Sequence, residues 1–189
     1  MAEEGRIGYL AAHISADDEA FAGGLLTTDY ELRPLDFRCT AAIHPTAVQR
    51  TLYGGVLRQH LFVDLLAMTL LRAADPKPEV VVFQDPLFLY LQRKLDSTPV
   101  LWVVGQTSPA RGETELVHPS VDTQHLTIEC VSGNTTEVFV YSGFGERVVQ
   151  AKALLEDVAK HFDILEPFCR MPPLLAPILQ QPKSSEISK

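Results

Sequence analysis

Residues 80–105 read VVVFQDPLFLYLQRKLDSTPVLWVVG, two apolar runs on either side of an Asp-Pro step and a short amphipathic stretch. Val80–Phe83 and Val100–Val104 are dense in β-branched and aromatic residues, the composition of strands buried on both faces of a parallel sheet. Asp85-Pro86 reads as a helix start, because Asp caps a first turn well and Pro fits the first helical position. The spacing predicts strand, about two and a half turns of helix, and strand. The crossover between two such parallel strands is expected to be right-handed.

Moving toward the N-terminus, residues 56–74 form a long apolar helix that ends at Asp75-Pro76-Lys77-Pro78. Leu57, Leu61, Leu65, Met68 and Leu71 make one stripe, and Phe62, Val63, Leu66 and Leu70 fill much of the rest, so the helix is expected to be buried on most sides. Before it, Thr46 caps a short helix that stops at Gly54-Gly55. Gly5–Ile14 and Ala20–Asp29 flank the turn-forming Ser15-Ala16-Asp17-Asp18 and read as a hairpin. Arg33–Ile43 adds a third strand to this antiparallel meander, with Leu35, Phe37 and Cys39 expected toward a core and Asp36, Arg38 and Thr40 away from it.

Moving toward the C-terminus, residues 106–123 are polar and carry Pro109, Gly112 and Pro119, as a long exposed loop would. A hairpin follows around Ser132-Gly133-Asn134-Thr135, and then a helix from Glu146 to Phe162 with Val148, Ala151, Leu155, Val158 and Phe162 on one face. These elements predict a mixed α/β sheet protein, with one domain over 1–170 and a proline-rich tail over 171–189. Leu174, Leu175, Ile178 and Leu179 of that tail are expected to dock on the body or on a partner.

The 189 residues carry 16 Lys plus Arg against 24 Asp plus Glu, a formal charge of -8 whose summed field repels phosphate backbones and disfavours nucleic acid as a partner. Cys39, Cys130 and Cys169 are isolated, as free thiols in a reducing compartment are. The opening MAEEGRIGYL is acidic where a signal peptide is basic, and no apolar run approaches the ~20 residues of a membrane span. The expectation is a soluble cytoplasmic protein.

Four groups of residues carry chemistry. Asp85 stands where a buried strand ends, with Gln84 beside it and Gly105 and Gln106 at the end of the neighbouring strand, where α/β sheets gather ligands. The same carboxylate also suits a plain helix cap. His60 and Asp64 lie four apart on one face of the long helix, as a proton-transfer or metal pair or as a mutually satisfied polar pair. His118, Asp122 and His125 offer three zinc-type ligands. Gly143-Phe144-Gly145 precedes a helix as half of a dinucleotide fingerprint does, but the third glycine is missing and Glu146 puts negative charge where phosphate would lie.

A three-stranded meander, a helix, and then strand, helix and strand resembles the element order of the ribonuclease H-like fold. That resemblance implies carboxylates converging from the first strand, the first long helix and the fourth strand on two divalent ions. Asp64 and Asp85 stand at the last two positions. The first strand, GRIGYLAAHI, has no carboxylate, and His13 or Asp17 would have to stand in. The pattern is a degenerate one. Our main expectation is therefore a non-enzymatic interaction or assembly subunit of an intracellular complex of the bacterial type, or a homo-oligomer, with a protein partner and no cofactor. One alternative is a metal-dependent phosphodiester hydrolase using Asp85 and Asp64 with a divalent ion. Another is small-ligand binding at the strand C-terminal ends.

Overall fold

The computed structural model describes residues 5–105, 123–131, 133–141 and 145–180. Seven strands make one mixed sheet in the order β3-β2-β1-β4-β5-β7-β6. They are β1 (Ile7–Ile14), β2 (Phe21–Thr28), β3 (Pro34–Cys39), β4 (Val80–Phe83), β5 (Val100–Gly105), β6 (Thr123–Glu129) and β7 (Thr135–Tyr141). β4 lies in the middle, parallel to β1 with Ile7 opposite Val80 and parallel to β5 with Val81 opposite Val100. The flanking pairs β1/β2, β2/β3, β5/β7 and β6/β7 are antiparallel. All ten residues of β4 and β5 are buried, which their unbroken apolar sequence requires.

Each face of the sheet carries its own core. Ile7, Tyr9, Val80, Val82, Leu101 and Val103 point to one side, under α3 (Glu146–Ala159), α4 (Glu166–Arg170) and α5 (Pro172–Leu179). Leu10, Leu25, Val81, Phe83, Val100 and Trp102 point to the other, under the long helix that precedes β4 and the helix after β4. α2 runs through Leu57–Gln59, His60–Ala67 and Met68–Ala73, and follows the short α1 (Ala47–Tyr53).

The middle of α2, His60–Ala67, is π-wound, and the Met68 N–H closes its last turn on the Val63 carbonyl. Each π turn takes in one residue more than an α turn. The buried set therefore becomes Leu61, Phe62, Val63, Leu66, Ala67, Leu70 and Leu71 rather than the expected stripe, and Leu65 turns outward. α2 lies close on β2 because Gly23 has no side chain. A Cβ there would stand 2.9 Å from Leu66 Cβ.

The segment after β4 is helical as expected but wound as 3₁₀, Pro86–Arg93. Side chains three apart eclipse in that winding, which brings Phe88 and Leu91 onto one buried row and Leu89 and Gln92 onto another. β3 departs further from expectation. Leu35 and Cys39 are exposed and Asp36 is half-buried, because β3 is a sheet edge and the Asp36 carboxylate turns in to bind Arg38 and the Asp75 N–H. The proline-rich segment 172–179 is helical, with prolines in its first turn, and Leu175 packs on Gly24 of β2. Among the described residues no helix is long and apolar enough to cross a membrane.

Candidate active site at the C-terminal ends of the central strands

β1, β4 and β5 run the same way, so their C-terminal ends share one edge. α2 returns from that edge to the opposite one: its last turn leads to Pro78, which packs on Gly8, and to Glu79, whose N–H bonds the Arg6 carbonyl beside the start of β1. The first turns of α2 therefore stand at the same edge as Asp85.

Asp85 leaves β4 with extended backbone, and its Oδ1 accepts the Leu87 N–H at 2.9 Å. The cap read from the sequence is thus present. Gln84 uses its carbonyl to accept the Trp102 indole N–H at 2.9 Å, which ties the strand end to β5. Gly105, expected to line a ligand cleft, is instead covered by the core: a Cβ there would stand 2.6 Å from Leu165 Cδ1. Gln106 lies outside the described residues.

His60 and Asp64 do meet. His60 Nδ1 and Asp64 Oδ2 are 2.7 Å apart, and Lys94 Nζ holds the other Asp64 oxygen at 2.7 Å. The Lys94 ammonium first, and the His60 bond after it, keep the Asp64 carboxyl below the ordinary carboxylate range. With Asp64 ionised, Nδ1 carries the hydrogen it donates, and Nε2 is left as the nitrogen open to proton exchange. Tyr53 stacks on the imidazole with ring centres 4.7 Å apart at 17°, fixing the ring plane. Sequence reading missed both supports. Tyr53 lies seven residues before His60, two helical turns on the same face, and that spacing could have flagged it. Lys94 is thirty residues downstream on another helix, where no periodicity points to Asp64.

The two carboxylates of the sequence reading are not brought together. Lys94 sits at the C-terminal end of the 3₁₀ helix and Asp85 at its N-terminal end. At ~2 Å rise per residue these ends are roughly 18 Å apart, more than a lysine side chain spans. Asp64, held by Lys94, is thus remote from Asp85. β1 supplies no carboxylate between Ile7 and Ile14; His13 is half-buried, and Asp17 is bound within its own turn by Ser15 and the Glu19 N–H. Among the described residues no three His, Cys, Asp or Glu side chains gather as a metal cage. Of the third candidate group, His125 lies on β6 stacked on Phe139 at 4.7 Å, while His118 and Asp122 are outside the described residues. Gly145 of the glycine pair has φ +56 and caps α3; Gly143 and Phe144 are outside.

This sheet, with its helices on both faces, has a ribonuclease H-like arrangement, the fold class the element order resembles. Among solved structures it is similar to human endonuclease V, with a TM-score of 0.55 and 14% identity over 94% of this chain and 85% of that one. The catalytic domain of human endonuclease V matches over the same shares at 14% identity and a TM-score of 0.50. Ciona intestinalis endonuclease V bound to an inosine-containing DNA matches at 12% identity over 75% of this chain and 71% of that one, with a TM-score of 0.39, too loose to place residues. No family model matches the chain, and no curated protein sequence does.

These likenesses correct the main functional expectation. A non-enzymatic interaction or assembly subunit, or a homo-oligomer working through protein contacts, gives way to the hydrolase alternative, because the matched structures are nucleases. The exclusion of nucleic acid gives way with it, since both matched structures are endonucleases, which act on nucleic acid. The physical reason for the error is that a charge of -8 is a sum over the whole chain, whereas a strand of nucleic acid meets only the field of one edge.

Proposed function

We propose that the chain is a phosphodiester hydrolase acting on nucleic acid at the C-terminal edge of β1, β4 and β5. The observation that carries this reading is an oriented His-Asp pair, His60 with Asp64, on a helix whose first turns stand at the same sheet edge as the strand-end carboxylate Asp85, in a ribonuclease H-like fold.

The donor set fits one divalent ion of limited demand. Mg²⁺ commonly takes one or two protein carboxylates and completes its shell with water and substrate phosphate, and Asp85 is such a carboxylate. A bound ion would supply charge neutralisation to the phosphate. The remaining work falls to the chain. Asp64 keeps His60 in the tautomer whose Nε2 accepts a proton from the attacking water or returns one to the departing oxygen. Lys94 keeps Asp64 charged, and Tyr53 keeps the ring from turning. The free, unpaired state of Cys39, Cys130 and Cys169 suits a reducing, cytoplasmic setting.

A second reading is binding of nucleic acid without cleavage, which the carboxylate-free β1 and the Lys94-neutralised Asp64 favour. End-labelled DNA and RNA oligonucleotides incubated with Mg²⁺ or Mn²⁺ separate the two. Cleavage that needs metal and vanishes in Asp85→Asn supports hydrolysis. Metal-independent binding with no cleavage sinks it in favour of the second reading, and the absence of both sinks the two together.

A further inference from the structure

A pocket of about 320 Å³ opens at the same edge, between the β1/β2 turn and the start of α2. Arg50 and Arg58 flank it, Asp18 lies on its rim, Gly54-Gly55 forms one wall, and Phe21 and Leu61 belong to its apolar floor. The two guanidinium groups are held in place without being neutralised. Arg50 Nη2 donates to the Asp18 carbonyl at 2.9 Å, and Asp18 presents that carbonyl from a left-handed backbone, φ 58. Arg58, an exposed residue of the pocket lining, places its guanidinium carbon 5.7 Å from the Phe62 ring centre, a cation–π contact that steadies the charge. Among the described residues neither guanidinium has a carboxylate partner. A Cβ built on Gly54 or Gly55 meets nothing within 4 Å, so bare backbone faces open space on that side.

We propose that this pocket seats one backbone phosphodiester of a nucleic-acid strand, with its sugar against the apolar floor. The proposal rests on the nucleic-acid reading above and adds where the strand is gripped. Arginine forks suit phosphate oxygens, which they bind in bidentate fashion. Two arginines and one aspartate leave a single net positive charge. That matches the single negative charge of a diester, whereas a terminal or inorganic phosphate carries close to two at neutral pH and meets the Asp18 carboxylate as a repulsive neighbour. The grip lies on the same edge as Asp85, so a strand held there runs past the strand ends.

The test is fluorescence anisotropy of an end-labelled single-stranded oligonucleotide without divalent metal, across a range of KCl. Each of Arg50→Gln and Arg58→Gln is expected to weaken binding severalfold and to lower the slope of log affinity against log salt by about 1. Asp18→Asn is expected to tighten it. Millimolar inorganic phosphate at constant ionic strength is expected to leave binding unchanged. Arg58 is exposed and its side chain rests on a ring face, so its variant is expected to keep the fold, which the thermal midpoint verifies. Wild-type binding with an unchanged slope in Arg58→Gln overturns the proposal and leaves the nucleic-acid reading standing. Displacement of the strand by inorganic phosphate overturns the diester assignment. A wild-type protein that binds no oligonucleotide overturns the function proposed above and this grip with it.

Discussion

The two edges of the central strands differ in a way that cavity size does not reveal. At the N-terminal edge lies a cleft of about 1420 Å³ that contains four cations, and each has a partner in the protein. Arg6 pairs with Glu79, Lys160 with Asp157, Lys77 donates to the Leu71 and Arg72 carbonyls at the end of α2, and Arg147 to the Asp96 and Ser97 carbonyls. At the C-terminal edge the pocket is less than a quarter as large, yet Arg58 is steadied by a ring, and the nearby His60 is oriented by a carboxylate. The lesson is that a site is recognised by polar groups held in position with bonding capacity left over. The large cleft is filled with charges whose work is holding loops and helix ends.

The sharpest way to break this contrast is at Asp85, where a cap and the proposed catalytic carboxylate are the same atoms. Asn caps a helix about as well as Asp. Asp85→Asn is therefore expected to keep its thermal midpoint while losing metal-dependent cleavage to background. Asp85→Ala is expected to lose cleavage and also about 1 kcal/mol of stability, because the Leu87 N–H is left without its acceptor. Full cleavage by Asp85→Asn alongside a destabilised Asp85→Ala would reduce the residue to a cap.

Next in size is His60. General acid–base groups contribute about a hundredfold or more, so His60→Gln is expected to slow cleavage by about that factor with binding of oligonucleotide unchanged. Tyr53→Leu, which removes the stacked ring but no proton carrier, is expected to slow it less. Equal losses in both variants, or a loss of binding in the first, would mean that His60 is only part of the helix surface.

The opposite edge supplies the control. Lys160→Gln removes an exposed pair worth less than about 0.5 kcal/mol and is expected to alter neither the salt slope of binding nor cleavage. A reduced slope there would move the nucleic-acid contact to the large cleft and reverse the contrast between the edges.

How much of this was legible in the sequence follows from what each feature depends on. The strands of residues 80–83 and 100–105 and the Asp85 cap could be read directly, because burial on two faces and helix capping both leave their mark within a few consecutive residues. The His60–Asp64 pair could be read because four residues is one helical turn. What could not be read joins distant parts of the chain. Lys94 on Asp64, Leu165 filling the space at Gly105, and Arg50 reaching the Asp18 carbonyl span 30, 60 and 32 residues, and no local pattern encodes them. The exposure of β3 was misread for a related cause: alternation gives a strand two faces but does not say whether a neighbouring layer covers either. The net charge misled because it counts residues without locating them.

The smallest expected effect tests Asp64 as a positioning group through pH. Its folded pKa is lowered, chiefly by Lys94, so its stabilising contribution is complete above the unfolded carboxylate value of about 3.9 and fades as pH falls through the lower folded value. The side chain is about a third exposed, 34%, so solvent screening holds the contribution to no more than about 1 kcal/mol. Thermal midpoints of the wild type and Asp64→Asn, followed from neutral pH downward, should differ by a constant small amount and then converge below about pH 4. A gap that stays level to the lowest pH, or that closes on the alkaline side instead, would show that the Lys94–Asp64–His60 chain is not held by charge. His60 would then lack the fixed tautomer on which its proposed role depends.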